Sequence, residues 1–305
     1  MAYSGRMQTG MIFDIKQYAI NDGPGIRTTV FFKGCPLSCW WCHNPESQRR
    51  SPQLIYRANR CTLCAECVDD CPLGAISLEG GARTDLQRCD HCGLCAEACF
   101  NGARELLGRE MTVAQVMKEI ERDVLFFDTS GGGVTFSGGE PLLQRGFLLE
   151  LLQRCREHEV HTVLDTSGYA TWDVLDSLRG YVNLFLYDLK LMDDERHRLY
   201  TGVSNKLILS NLQMLTERGH PVFIRIPLIP GLNDDLQNLR QTGEFLSRLE
   251  NISTVELIGY HDIARAKYES LGLDYRLPDL KAPGAETLQT AAGILKDFGL
   301  NIKVS

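Results

Sequence analysis

Three cysteines fall within eight residues in the stretch KGCPLSCWWCHNPES, at Cys35, Cys39 and Cys42. The spacing is C-x3-C-x2-C, so three thiolates converge with no fourth beside them. Two kinds of chemistry fit such a set. A zinc ion could complete its tetrahedron with His43. A 4Fe–4S cube has four irons, so three thiolates leave one iron open to a non-protein ligand. An amine and a carboxylate on one small molecule would chelate that iron.

Two further runs carry sulfur. RCTLCAECVDDCPLG supplies Cys61, Cys64, Cys67 and Cys71, and RCDHCGLCAEACFNG supplies Cys89, Cys92, Cys95 and Cys99. Each reads C-x2-C-x2-C-x3-C, the spacing of two-cluster ferredoxins, in which the fourth cysteine ligates the other cluster. Cys61, Cys64, Cys67 and Cys99 are therefore expected around one auxiliary 4Fe–4S cluster. Cys89, Cys92, Cys95 and Cys71 are expected around a second. A pair of structural zinc sites is the alternative, although zinc ribbons set two cysteine pairs across a longer spacer. The second run ends Cys-Phe rather than Cys-Pro, which removes no ligand. Two clusters in so short a segment make a wire for electrons and offer no substrate site. The last of the twelve cysteines, Cys155 in LLQRCREHE, reads as a packed thiol on an amphipathic helix.

These ligands need a scaffold, and the chain divides into three zones. Residues 10–50 read as extended pieces, MIFDIKQYAI and IRTTVFF, around the turn NDGPG. Residues 51–105 hold the eight ferredoxin-type cysteines and too little periodic hydrophobicity for a core, so metal must supply much of their order. Residues 106–305 alternate helical patterns, such as TVAQVMKEIERD and DDLQNLRQTGEFLSRLE, with short apolar runs. Those runs are GVTFSGG, HTVLDTSG, VNLFLYDLK, PVFIRIPLI and TVELIGYH, with NIKVS at the end. Alternation of this kind implies parallel strands covered by helices. Counting TTVFF, there are six β/α units, short of the eight in a closed barrel. The expected fold is α/β, a partial (β/α)6 barrel over 1–50 and 106–305, with 51–105 as a ferredoxin-like insert.

Polar residues stand at the ends of these runs: Gly138, Gly139 and Glu140, then Asp165, Asp188, Lys190, Arg225 and His261. In parallel β/α folds ligands bind at the carboxyl ends of strands. One such residue per successive strand points to a shared site.

Composition narrows the partners. A formal net charge of −7 excludes a broad basic face for nucleic acid or anionic membrane. No apolar run approaches the roughly 20 residues of a membrane helix. The start, MAYSGRMQTG, lacks the charged-then-apolar pattern of a secretory signal, and tight C-x2-C groups are metal spacing rather than disulfide spacing. A cytoplasmic monomer is expected.

The stretch DGPGIRTTVFFKGCPLSCWWCHNPES resembles the amino-terminal signature of the radical S-adenosylmethionine (SAM) activating enzymes of glycyl radical enzymes. FSGGEPLLQ, DTSGY, YDLKLMDDERHRLYTG, RIPLIPGLND and the YH…KY stretch follow in the family's order, so the likeness spans nearly the whole chain. It is closest to the subset that carries a ferredoxin-like insert just after the three-cysteine motif. One segment departs: the family reads LPYH-x2-G-x2-KY near the last strand, whereas this chain reads IGYHDIARAKY, with Gly259 and Ala264 in place of Pro and Gly.

The resemblance implies an activity and residue roles. The amine and carboxylate of SAM would chelate the iron that Cys35, Cys39 and Cys42 leave open. Reductive cleavage would yield methionine and a 5′-deoxyadenosyl radical, which takes a hydrogen from a glycine of the partner enzyme. Trp41 would pack on the adenine, with the His43 backbone beside it. Gly138, Gly139 and Glu140 would approach the methionine amino group, and Asp188, Leu189 and Lys190 the ribose and carboxylate. Arg225 and His261 would close the far side, and Asp165 with Asp188 would hold a monovalent cation or cap a neighbouring helix. Asp22, Gly23, Pro24 and Gly25 would meet the partner's glycine loop, or form a tight turn alone. Three 4Fe–4S clusters, SAM, a glycyl radical enzyme and a ferredoxin- or flavodoxin-type electron donor are implied. Two other functions compete: a radical SAM peptide or sulfatase maturase, which usually carries extra cysteines after the barrel, and a non-catalytic electron carrier. The first lacks its cysteines here, and the second leaves the three-cysteine motif without purpose.

Overall fold

The computed structural model describes residues 8–305. The chain enters as a long strand, β1 (Thr9–Ala19), which turns through residues 20–26 and pairs antiparallel with β2 (Arg27–Phe32). β2 delivers the chain to the cysteine loop, Lys33 to Ser47, at its carboxyl end.

The insert follows. β3 (Gln53–Tyr56) opens it, and the one-turn helix α1 (Glu66–Asp69), the pair β4 (Ile76–Ser77) and β5 (Arg83–Thr84), and the one-turn helix α2 (Leu94–Glu97) fill it. β6 (Arg104–Leu107) closes it by pairing antiparallel with β3, Gln53 opposite Leu107 and Tyr56 opposite Arg104. The two cysteine runs fold alike. Leu63 and Ala65 before α1, and His91 and Gly93 before α2, all take the left-handed conformation. That repeated geometry wraps each run around a centre, at a steric cost for the three side-chain-bearing residues.

β7 (Arg109–Thr112) returns to the other edge of β1. The β/α units then begin. α3 (Val113–Glu121), which starts on a capping box between Thr112 and Gln115, and α4 (Val124–Ser130) lead into β8 (Gly133–Gly138), which pairs parallel with β2. α5 (Arg145–Glu157), β9 (Thr162–Thr166), α6 (Trp172–Arg179) and β10 (Leu184–Asp188) continue the alternation. α7 (Asp194–Thr201) and α8 (Lys206–Glu217) precede β11 (Val222–Leu228); α9 (Leu236–Leu246) precedes β12 (Ile252–Gly259). α10 (Arg265–Leu271) and α11 (Ala285–Lys296) lead to the last strand, β13 (Ile302–Val304).

The large sheet runs β13-β12-β11-β10-β9-β8-β2-β1-β7, with β2 and β8 to β13 parallel throughout. Its edge strands, β7 and β13, do not meet, so the barrel is partial, as the six counted units lead one to expect. NIKVS adds a further parallel strand. The main core lies between the sheet and the helices, with Val30, Phe136, Leu148, Leu152 and Leu212 fully buried. On the inner face buried Val163, Leu184 and Leu186, with half-buried Phe223 packed against them, form a small apolar cluster at the barrel floor. Cys155 is buried in the outer core beside Met117, the packed thiol its helix pattern implies. Among the described residues no helix is long and apolar enough to cross a membrane.

Candidate active site

The cysteine loop is fastened on two sides before any ligand is considered. Gly34 N donates to Ser47 O over 2.6 Å and Cys35 N to Gln48 O over 3.0 Å, closing the loop on itself. Ser38 N and Trp40 N donate to Thr201 O and Tyr200 O at the end of α7. Leu37, Cys39 and Trp41 are buried with Leu191, Ile229 and Tyr260, so the loop has an apolar base of its own.

Above that base lies a cavity of about 320 Å³. Cys35, Cys39 and Cys42 line it together with Trp41, His43, Gly138, Gly139, Asp165, Asp188, Lys190 and Arg225. Eight residues expected from the strand ends and the cysteine loop thus join the three thiols at one place. Glu140 does not line the cavity. Its buried carboxylate turns away and accepts from Thr166 Oγ1 (2.7 Å), Ser167 N (2.9 Å) and Ser167 Oγ (2.5 Å), tying the loop after β8 to the loop after β9. Leu189 does not line the cavity: its side chain is buried in the main core and its N–H donates to Arg225 O (2.9 Å). His261 stacks on His43, ring centroids 4.1 Å apart.

Asp22 also lines the cavity, its carboxylate accepting from Thr29 Oγ1. Gly23, Pro24 and Gly25 do not. They sit at the amino ends of the parallel strands, where a β-carbon on Gly25 would strike the backbone of Gly132. The guanidinium of Arg27, fully buried, holds this turn through Pro24 O and reaches Thr135 Oγ1 and Val134 O.

The charges in the cavity form one network. Arg225 pairs with both Asp165 and Asp188, and Lys190 Nζ donates to Asp188 Oδ2 over 2.8 Å. Burial pushes the Asp188 carboxyl up, but Lys190 and Arg225 outweigh it and hold the group at about 2. At Asp165 burial wins over Arg225, and its carboxyl rises above the usual range. Burial opposes the charges of Lys190 and Arg225, yet Asp188 raises the first and Asp165 with Asp188 the second, so both stay cationic. Two cations and two carboxyls thus meet at the cavity wall.

The residues present fit an iron–sulfur cluster and SAM. Burial pushes the Cys39 thiol up to about 12 and raises Cys35 and Cys42 as well. Such thiols ionise only when a cation takes the proton's place. His43 Nε2, at the cavity wall, is buried without a partner among the described residues, a polar atom that a bound molecule would satisfy; His261, stacked on it, does not line the cavity. Burial, then His261, lowers His43 to about 4, so its ring is neutral. Gly138, at φ 107°, and Gly139 line the cavity with backbone and pack so closely on the backbone of Phe32 and Gly34 that β-carbons there would overlap it.

The insert carries two cages. One small cavity is lined by Cys61, Cys64, Cys67 and Cys99, and another by Cys71, Cys89, Cys92 and Cys95. The fourth cysteine of each run has crossed to the other's cage, as the ferredoxin spacing leads one to expect. Among the described residues no three His, Cys, Asp or Glu side chains meet closely enough for a single metal ion. A four-iron cube calls instead for thiols spread about a void, the arrangement both cages have.

Several contributors were not singled out from the sequence. Ser137 Oγ donates to Asp165 Oδ2; it faces the cavity because β8 and β9 pair with Phe136 opposite Leu164. Lys33 is a fully buried lysine bonded to Glu46 O, Arg49 O and Gln53 Oε1. Lys267 Nζ donates to His43 O (3.0 Å) and Asn44 Oδ1 (2.9 Å) and pairs with Glu46 (2.6 Å), fastening α10 to the cysteine loop. The IGYHDIARAKY departure keeps this contact.

A partial barrel with three thiols and a polar strand-end set at its mouth, joined to a two-cage insert, defines a radical SAM enzyme with a ferredoxin-like domain. Residues 86–242 match the Radical SAM superfamily, and residues 53–100 match a 4Fe-4S dicluster domain. The chain is 42% identical over 299 residues to the trans-4-hydroxy-L-proline dehydratase activating enzyme of Clostridioides difficile, covering 96% of this chain and 98% of that one. It is 41% identical over 302 residues to the choline trimethylamine-lyase activating enzyme of Oleidesulfovibrio alaskensis, covering 96% and 97%. A solved domain of a pyruvate-formate lyase-activating enzyme from Bacteroides vulgatus shares 36% identity at a TM-score of 0.50, over 57% of this chain and 99% of that one. A radical SAM methyltransferase from Sphaerobacter thermophilus, at 16% identity and a TM-score of 0.54 over 92% and 66%, shares the fold. The chain belongs to the radical SAM activating enzymes of glycyl radical enzymes. It is an oxidoreductase that uses iron–sulfur clusters and SAM, and its protein partner is a glycyl radical enzyme.

Proposed function

We propose that the cavity above Cys35, Cys39 and Cys42 is where this activating enzyme holds a 4Fe–4S cluster and SAM, and that the insert holds two more such clusters. The observation that carries the reading is the meeting of the three thiols with Trp41, Lys190 and Arg225 in one cavity. When bound, cluster and cofactor supply an electron to the sulfonium and, from its cleavage, the 5′-deoxyadenosyl radical that removes a glycine hydrogen.

The chain's own residues bind, orient and exclude water. Lys190 and Arg225 stay cationic and face the cofactor's carboxylate, while the Gly138–Gly139 backbone edge admits its amine. Trp41 gives the adenine an apolar wall, and His43, stacked on His261, offers an unpaired ring nitrogen as a partner. Glu140 acts at one remove, by fixing the loops on which Gly139 and Thr166 stand. The resemblance sets a monovalent cation beside Asp165 and Asp188; such an ion would have to displace the Arg225 guanidinium from one carboxylate. The apolar cluster at the floor closes the barrel below, and the partner's glycine loop would close it above.

The reading divides the chain into a barrel (1–50 and 106–305) and an insert (51–105), a division supported by the β3–β6 pair that begins at Gln53 and ends at Leu107. It includes a ferredoxin- or flavodoxin-type donor and a cytoplasmic monomer, with no role for nucleic acid or membrane. The test is anaerobic: reduced, reconstituted protein is mixed with SAM and the glycyl radical enzyme of its genomic neighbourhood, and the electron paramagnetic resonance (EPR) spectrum is recorded. A glycyl doublet on the partner is expected. SAM cleavage without the doublet would assign the radical to another substrate.

A further inference from the structure

The β3–β6 pair meets the SAM-binding loop at one end, while β3 also runs beside α10 along its length. Lys33, two residues before the first thiol of the cysteine loop, donates from Nζ to Gln53 Oε1 over 2.8 Å. Opposite Gln53 stands Leu107, and the next residue, Gly108, packs so closely on the Lys33 stem that a β-carbon would overlap it. This is the near end of the pair. One residue outward, Leu54 lines the cage of Cys71, Cys89, Cys92 and Cys95, and its partner Leu106 lies against Gly93 of the same cage. Two residues further out, Tyr56 and Arg104 line the other cage, with Ala103 beyond them. A strand advances about 3.3 Å per residue, so the two cages are offset along the pair by about two residues, or roughly 7 Å.

We propose that this register sets a fixed order: the cage that Cys71 completes is the inner one, next to the SAM-binding loop, and the cage that Cys99 completes is the outer one. Lys33 is the positioning residue that holds the near end. Its ammonium is buried with three acceptors, two of them backbone carbonyls on the connector between barrel and insert, at Glu46 and Arg49. A lysine so placed cannot leave without stranding those acceptors. The order has a direction. A one-electron carrier protein that docks on the face of the insert away from the barrel meets the outer cage first. At the lip of that cage Phe100 is 92% exposed and Leu63 52% exposed.

The inference rests on the three-cluster reading, and the experiment separates the two. Reconstituted holoenzyme is prepared as wild type, Cys64→Ala (outer cage opened) and Cys92→Ala (inner cage opened). Iron and sulfide are counted, and the spin relaxation of the reduced SAM-binding cluster is measured by pulsed EPR. Fast relaxation caused by a near neighbour should survive Cys64→Ala and drop several-fold in Cys92→Ala. Equal effects, or the reverse, overturn the order while leaving three clusters standing. A wild-type protein with iron for one cluster overturns the three-cluster reading instead. Lys33→Met should keep the full iron count yet blur the coupling, and Lys33→Arg should restore part of it. Unchanged coupling in Lys33→Met would remove Lys33 from the positioning role.

Discussion

Gly139 and Gly34 meet backbone to backbone at the carboxyl ends of β8 and β2. Glu140 N donates to Gly34 O over 2.8 Å, and a β-carbon on Gly139 would overlap that same oxygen. Gly34 in turn precedes the first thiol, Cys35. Gly139→Ala must therefore push the cysteine loop outward. Overpacking of this kind costs about 1–3 kcal/mol, and it falls on the SAM site rather than on the insert. SAM affinity should drop about tenfold or more, read as a weakened SAM-induced change in the cluster's EPR signal. The spectra of the insert's clusters should stay as they are.

The thiol sets are separate in space, which makes their loss separable. Cys39→Ala should abolish SAM cleavage and remove about four irons per chain, the content of one cube. The eight cysteines of the insert lie in their own voids and should keep theirs. Retained SAM cleavage in this variant would contradict the ligand assignment.

Arg225 bridges two carboxyls at once. Arg225→Ala leaves Asp165 and Asp188 facing each other with only Lys190 to neutralise them, and breaking a buried pair costs about 3–5 kcal/mol. Thermal unfolding should show a fall of that order. Arg225→Lys keeps the charge but loses the planar fork that reaches both partners. It should recover part of the stability and little of the SAM affinity, measured by titration calorimetry on the cluster-loaded protein.

The parts legible in the sequence are those with local causes. Cage ligands are adjacent in the chain, so spacing alone predicts both the cages and the crossing of Cys71 and Cys99. The strand-end set follows from β/α alternation, since every parallel strand delivers its last residues to the same end. What stayed hidden depends on non-local contact. β7, REMT, is polar and short, and is a strand only because β1 offers it an edge. Lys33 reads as a surface lysine until Gln53 and the Glu46 and Arg49 carbonyls surround it. Glu140 reads as a cavity residue, yet its side chain turns away because Thr166 and Ser167 supply donors on the other side. Gly23, Pro24 and Gly25 lie beside Asp22 in the chain but at the floor rather than on the cavity wall. A turn at the start of a strand points down the barrel.

α10 bridges the loop after β12 and the cysteine loop through Lys267, which is partly exposed and has three acceptors near His43. Lys267→Met should cost about 1–2 kcal/mol, the range for charge-assisted hydrogen bonds partly open to solvent. The more telling readout is amide hydrogen exchange. Residues 43–47 and 264–271 should exchange faster together in the variant, because one side chain links them. Faster exchange confined to α10 would mean that the cysteine loop holds itself.

Glu140 offers a pH signature. Its carboxylate is fully buried, and burial lifts the group from 4.5 to about 7 against the donors at Ser167, Thr166 and Leu142. A carboxyl whose folded pKa is raised binds its proton more tightly in the native state. Its contribution to stability is therefore complete below pH about 4.5 and is lost as pH rises through about 7. The span corresponds to about 3 kcal/mol at 1.36 kcal/mol per pH unit. Glu140→Gln cannot titrate, so denaturant unfolding of wild type minus variant should slope downward between those values and flatten above them. The amide also turns an N–H2 toward donors that need an acceptor, so the variant should be about 1–3 kcal/mol less stable at low pH. A flat difference between pH about 4.5 and 7 would mean that the four donors keep Glu140 ionised over that window.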